Sequence, residues 1–342
     1  MKAVIFDKHG GPDVLRYADA PDPVIKANEV LVEVRACALN HLDVWARKGL
    51  PGIEIPLPHI LGNDIAGVVR EAGSLVDWVR AGDEVMLQPG VSCGHCMECL
   101  RGHDNLCAEY DILGYRRKGG YAELVAAPGV NVIPKPKDLS WEEAAALPLV
   151  LVTAWHMLVV RAAVQPGEDV LIHAAGSGVG SVGIQVAKLR GARVIATAGS
   201  DEKLQKAREL GADEVVNYTR EDWPREVRRL TGKRGVDVVF EHTGAETWPG
   251  SIAALAKNGR LVTCGATSGF DARTDIRQLF YRHLTFLGSF MGSKAELLDA
   301  MKFVERGMIR AVVDQSMPLA DARRAHELME DRAQFGKLVL VP

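Results

Sequence analysis

The stretch from Asp169 to Gly288 constrains this 342-residue chain more than any other, because short apolar strands and helical segments alternate through it at a regular pitch. Strand patterns occupy Asp169–Ala174, Arg193–Thr197, Glu214–Asn217, Asp237–Glu241 and Arg260–Cys264, with a sixth at Leu284–Gly288. Helical stretches over 179–190, 201–210, 222–231 and 246–257 separate them. Strict alternation of this kind predicts a parallel, doubly wound α/β sheet. The first strand runs straight into Gly176-Ser177-Gly178-Val179-Gly180 and then into the helix containing Gln185–Leu189. Glycines between a strand and a helix let the backbone close on a pyrophosphate at the helix N-terminus, so a dinucleotide is the predicted ligand. The second strand ends in small neutral residues, Thr197-Ala198-Gly199-Ser200, with Lys203 one helical turn further on. A carboxylate there would bind the ribose hydroxyls of NAD. Ser200 and Lys203 instead suit a 2′-phosphate, which favours NADP(H) over NAD(H).

The rest of the chain follows a different grammar. Val30–Ala36 and Gly82–Leu87 read as strands in a first third dense with Gly and Pro. After Pro134-Lys135-Pro136, Ser140 and Glu143 form a capping box that opens a helix. The expected organisation is a mainly-β domain over 1–148, a cofactor-binding domain over 149–290, and a return to the first domain over 291–342 that ends in the strand from Lys337. A length above that of a usual single core supports more than one domain. The net charge of −3 gives no electrostatic footprint for nucleic acid or an anionic membrane. No apolar run reaches spanning length, and the N-terminus carries no signal-peptide pattern, so a cytoplasmic location is expected.

Four of the six cysteines crowd into Cys93-x2-Cys96-x2-Cys99-x7-Cys107. Thiolates at this spacing can wrap one tetrahedral zinc and leave no position for water or substrate, so the predicted role is structural. The lobe expected around it spans 90–110. Two disulfides, or reduced cysteines in a loop, are the rival readings, and disulfides require an oxidising compartment for which nothing in the sequence speaks.

Together, Ala38-Leu-Asn-His-Leu-Asp-Val-Trp, Ile60-Leu-Gly-Asn-Asp-Ile-Ala-Gly, Gly82-Asp-Glu-Val, Gly120-Tyr-Ala-Glu and the Gly176–Gly180 loop resemble the medium-chain dehydrogenase/reductase superfamily over nearly the whole chain. The resemblance implies a Rossmann domain beside a GroES-like catalytic domain carrying a zinc lobe. It also implies where the chain departs from its zinc-dependent alcohol dehydrogenases. The positions of their catalytic-zinc ligands fall on Asn40, Asn63 and Leu149, and that of their hydroxyl proton relay on Leu42. Asn is a weak zinc ligand and Leu is none. The Asn40-x-x-Asp43 pattern is similar to the zinc-free quinone and enone reductases, which implies Asn40 and Asp43 as catalytic residues beside the nicotinamide. By the same resemblance His41 faces cofactor phosphate, Thr153 lies near the nicotinamide, Cys264-Gly265-Ala266 and Met291 approach its carboxamide, and Lys337 faces the pyrophosphate.

The expected activity is NADPH-dependent reduction of quinones or α,β-unsaturated carbonyls, in which the Asn40 amide donates to the developing oxyanion and Asp43 anchors the loop. Two alternatives stand beside it. One is a zinc-dependent alcohol dehydrogenase whose site is rebuilt from His41, Asp43, His59, Asp64 or Cys37; the other is a non-catalytic NADP(H)-binding protein. Trp45, Leu50, Ile53, Tyr115 and Phe290 are candidate substrate-cleft side chains. The apolar sixth strand predicts pairing into a homodimer or homotetramer.

Overall fold

Six parallel strands, 214–217, 193–198, 169–172, 236–241, 255–263 and 285–288 in spatial order, form one sheet of the computed structural model, which describes residues 1–342. Reversal of the strand order beside 169–172 is the signature of a doubly wound Rossmann sheet. The central strands are buried along their length and rich in β-branched residues, as a sheet covered on both faces requires. Helices at Gly178–Leu189, Asp201–Glu209, Trp223–Leu230 and Trp248–Ala254 connect them. The expected helix over 246–257 is corrected at its end: it stops at Ala254, and Leu255 already pairs with Val236. The ladder then bulges, with Asn258 at φ +62°, and resumes at Val238–Arg260. Burial of Leu255 in the core beneath the sheet overrides the helical preference of its neighbours.

This sheet belongs to one unit, Val150–Gly292 with Glu296–Arg310. The other unit comprises Met1–Leu149, Ser293–Ala295 and Ala311–Pro342. Its main sheet is mostly antiparallel, with the path 132–134, 84–87, 64–72, 29–38, 337–341 and 313–318, and strand 124–128 pairs off this path with 29–38. The C-terminal strand Lys337–Val341 lies beside 29–38, with Val339 opposite Ala38. That pairing places residue 337 next to the turn that follows Ala38. Strand 64–72 flanks the other side of 29–38, with Asp64 opposite Ala38. Three segments distant in sequence therefore bring Asn40, Asp64 and Lys337 to one end of the sheet. The capping box forms as expected: Glu143 N–H donates to Ser140 Oγ at 3.1 Å, and Ser140 N–H to Glu143 Oε2 at 2.9 Å.

Candidate active site and zinc lobe

Asn40 caps the helix His41–Lys48, and the turn at Gly62 presents Asn63 and Asp64 to it. Gly62 sits at φ +101°, and a Cβ there would meet Tyr121 and Cys37 Sγ inside 3 Å, so only glycine permits this turn. The polar side chains gathered here are almost sealed: Asp43, Asn63 and Asp64 have no exposure, whereas Lys337 keeps 3% and Asn40 6%. Burial without partners would be costly, and nearly every polar atom has one. The Asn40 amide nitrogen donates to Asn63 Oδ1 at 2.9 Å and to Asp64 Oδ2 at 2.8 Å. Lys337 Nζ donates to Asn40 Oδ1 at 2.6 Å and to Asp64 Oδ2 at 2.9 Å. The second Asp64 oxygen accepts from Leu149 N–H at 2.8 Å.

Asp43 holds the loop from below. It accepts from Asn40 N–H at 2.8 Å, Gly62 N–H at 3.0 Å and the Asn63 amide at 3.2 Å. Burial raises its carboxyl to about 6 despite the backbone donors from Asn40 and Gly62 that favour the charged form. These contacts are those of an anchor.

Two side chains expected to serve ligands are engaged within the protein. The Asn40 amide has only two N–H bonds, and both are committed to internal acceptors, so it has none for a substrate oxyanion. Lys337 was expected at the cofactor pyrophosphate. Its ammonium is buried in an ion pair with Asp64, because the C-terminal strand delivers it to the sheet end where that carboxylate lies.

The alternative metal ligands do not converge. His59 Nε2 lies 3.2 Å from the Gly114 carbonyl oxygen and its ring packs edge-on to Phe6. Burial pushes the Cys37 thiol up. His41 packs against Trp45.

Cys93, Cys96, Cys99 and Cys107 do converge, with all four sulfurs within 4.8 Å of one another. Cys93 and Cys99 Sγ are 3.9 Å apart, and Cys96 and Cys99 Sγ 3.5 Å. A tetrahedron with Zn–S bonds of about 2.3 Å has edges of roughly 3.8 Å, so the donor set and its spacing fit zinc. No other group of three or more His, Cys, Asp or Glu side chains offers a metal site.

In the other unit, Ser177 caps the helix from Gly178, its hydroxyl accepting from Gly180 N–H at 2.9 Å. The N–H groups of Gly178 and Val179 lie in the first turn, where no preceding carbonyl serves them. A Cβ on Gly180 would come within 2.4 Å of the Ala174 carbonyl oxygen, which fixes glycine at that position. Gly176 belongs to the same turn. Ser200 caps the next helix and accepts from Lys203 N–H at 3.3 Å. Cys264, Gly265 and Ala266 follow the fifth strand, and burial, reinforced by Glu241, pushes the Cys264 thiol up to about 12. Thr153 and Met291 are buried, Met291 at φ +56°.

Sequence reasoning missed several groups. Tyr218 and Arg220 follow the third strand, whose register places Asn217 beside Ala198. The Tyr218 hydroxyl closes on Gly199, and Arg220 pairs with Asp201 at 2.7 Å. The predicted doubly wound sheet held that signal, since parallel neighbours end side by side. His173 and Glu241 form a buried network through Ser251, with His173 Nε2 2.9 Å from Ser251 Oγ, which donates to Glu241 at 2.6 Å. Burial takes His173 down to about 4. For Glu241 burial is outweighed by His173 and hydroxyl donors, and its carboxyl falls. Arg47, His326 and Tyr121 form another buried chain beneath the Asn40 helix.

A strand–glycine–helix phosphate loop on a doubly wound sheet, joined in one chain to a β domain with a four-thiolate lobe, defines a nicotinamide-dependent oxidoreductase with a zinc-binding lobe. Comparison with known proteins agrees. Residues 26–137 match the alcohol dehydrogenase GroES-like domain, and 178–306 the zinc-binding dehydrogenase family. The chain is 32% identical to an NAD-dependent alcohol dehydrogenase of Sulfurisphaera tokodaii, covering all of both proteins. It is 31% identical to quinone oxidoreductase 1 of Escherichia coli, covering 98% of each. A crystal structure of an NAD-dependent alcohol dehydrogenase superposes with a TM-score of 0.97 at 53% identity, covering 100% of both chains. The chain belongs to the medium-chain dehydrogenase/reductase superfamily. No helix is long and apolar enough to cross a membrane.

Proposed function

We propose that the protein is an NADPH-dependent reductase of quinones or α,β-unsaturated carbonyls that works without a catalytic zinc. One observation carries this reading. The three positions where zinc-dependent relatives would supply ligands hold Asn40, Asn63 and Leu149, and the two amides are bonded to each other and to Asp64 and Lys337. Two neutral amides and an alkyl chain do not make a zinc shell, so no step here passes through such a metal. Without a Lewis acid, an isolated alkoxide is hard to stabilise. Charge from addition to an enone or quinone spreads into an enolate or phenolate, which a positioned N–H donor can steady.

A reduced nicotinamide, when bound, supplies the hydride. The Gly176–Gly180 turn and the Ser177-capped helix would take its pyrophosphate. Thr153, Cys264, Gly265, Ala266 and Met291 are the proposed nicotinamide contacts. Ser200 and Lys203, with Tyr218 and Arg220 beside them, would take the 2′-phosphate. The zinc of the four-cysteine lobe is structural in this reading.

The names of two relatives favour a second reading, NAD-dependent alcohol oxidation. Steady-state assays with NADPH and NADH against quinones, enones and aldehydes, and with NAD against alcohols, separate the two. Enone or quinone turnover preferring NADPH is expected. Chelator-sensitive alcohol oxidation with neither of those turnovers contradicts the proposal. Lys203→Ala should lower the NADPH/NADH preference in kcat/KM by about tenfold, the worth of one charge-assisted hydrogen bond.

A further inference from the structure

In a doubly wound sheet an acid at the end of the second strand reads the ribose hydroxyls of NAD, whereas a nearby arginine admits the extra phosphate of NADP. This chain has both groups, and they are bonded to each other. The second strand closes at Ala198, and the acid arrives late, as Asp201, the first residue of the helix that Ser200 caps. Both of its oxygens are engaged. The Asn217 amide nitrogen donates to Oδ1 at 2.8 Å and the Arg220 guanidinium to Oδ2 at 2.7 Å, and these two bonds hold the carboxyl below its ordinary range. The turn that supplies them is fixed by the sheet. Asn217 stands opposite Ala198, and Tyr218 N–H donates to the Ala198 carbonyl at 3.2 Å. Asn217 Oδ1 accepts from Thr219 N–H at 3.1 Å, which leaves its amide nitrogen for Asp201. Arg220 carries five N–H bonds in a planar fork. Asp201 accepts one of them, and the other four have no protein acceptor on a side chain that is 68% exposed. The Tyr218 hydroxyl would lie 2.8 Å from a Cβ on Gly199, so Tyr218, the Ser200 cap and Arg220 border the same three residues, 199–201.

We propose that Arg220 and Asp201 act as a coupled selectivity device for the cofactor. Arg220 engages the carboxylate through one N–H bond and offers the rest of its fork to the 2′-phosphate of NADP(H); without the arginine, Asp201 turns to the ribose hydroxyls of NAD(H). The inference rests on the NADP(H) reading above. A planar fork suits this double duty, since it can hold a carboxylate at one edge and a phosphate at another. Asn217 is a positioning residue that keeps Asp201 beside the arginine.

The test measures binding of adenosine 2′,5′-bisphosphate and of 5′-AMP to the full chain by calorimetry, because these probes differ only in the 2′-phosphate. Wild type is compared with Arg220→Ala, Asp201→Asn and the double variant Asp201→Asn/Arg220→Ala. An exposed ion pair contributes little to stability, so all four should share one melting curve within a few degrees. Wild type should prefer the bisphosphate, and Arg220→Ala should lower that preference by roughly 10- to 100-fold, the worth of charge-assisted hydrogen bonds to a phosphate. The same variant should bind 5′-AMP several-fold more tightly than wild type does, and the double variant should lose that gain. Asp201→Asn alone should keep the preference for the bisphosphate. A preference that stays within about threefold of wild type in Arg220→Ala overturns the inference and leaves the NADP(H) reading standing. A gain for 5′-AMP that persists in the double variant also overturns it, because the carboxylate is then not its source. If wild type itself shows no preference for the bisphosphate, the NADP(H) reading fails and the arginine's role fails with it.

Discussion

Two clusters in the β-rich unit, the four-cysteine lobe and the polar group around Asn40, are built oppositely. In the lobe, four cysteine sulfurs stand at the edges expected of a zinc tetrahedron. At Asn40, Asn63 and Leu149 the donors are amides and an alkyl group, and a lysine ammonium from the last strand neutralises the nearby carboxylate. The lobe thus depends on an external cation, and the cluster supplies its own. In the proposed reading, the zinc lobe therefore says little about the chemistry of the chain that carries it.

Breaking the internal cation should have the largest effect. Lys337→Met leaves Asp64 charged and sealed, and should lower the unfolding free energy by about 3–5 kcal/mol in urea titration. The Asp64→Asn exchange in the same chain should return most of it. Removing a thiolate, Cys99→Ser, should abolish tight zinc binding and lower the melting temperature by several degrees, because serine is a poor ligand at neutral pH. Zinc-supplemented buffer should not restore that variant.

A smaller, pH-dependent effect marks Asp43. Its folded carboxyl, raised to about 6 from an ordinary 3.8, binds a proton more readily than in the unfolded chain. Its contribution is therefore fully present below pH 3.8 and is lost as the pH rises through 6. Wild type should gain up to about 3 kcal/mol on Asp43→Asn between pH 7 and pH 4, measured as the difference between their unfolding free energies. The smallest effect is expected far from either metal position. Ser177→Ala removes the cap of the phosphate-loop helix and should cost about 1 kcal/mol.

The sequence made the Rossmann unit and the zinc lobe legible for the same reason: both are local. Strand, glycine turn and helix follow one another within Asp169–Leu189, and the four cysteines within fifteen residues. Asn40, Asn63 and Leu149 were legible as departures from a resemblance. The lysine that bonds to them was not, because Lys337 reaches Asn40 across 297 residues through the pairing of the C-terminal strand. A signal existed in Lys337-Leu-Val-Leu-Val, a lysine heading a run too apolar to face water, which demands a buried acid. Nothing local says that the acid is Asp64. The early end of the helix at Ala254 was hidden for a related reason, since its cause is the pairing of Leu255 with Val236.

Zinc stoichiometry tests the contrast between the two positions most directly. The wild-type protein and Cys99→Ser are equilibrated with excess zinc, passed through gel filtration, and measured by atomic emission against protein concentration. About one zinc per chain is expected in the wild type and close to none in the variant. About two in the wild type, with about one surviving in Cys99→Ser, would contradict it, because a second ion would then occupy a shell that the Asn40 cluster is claimed not to provide.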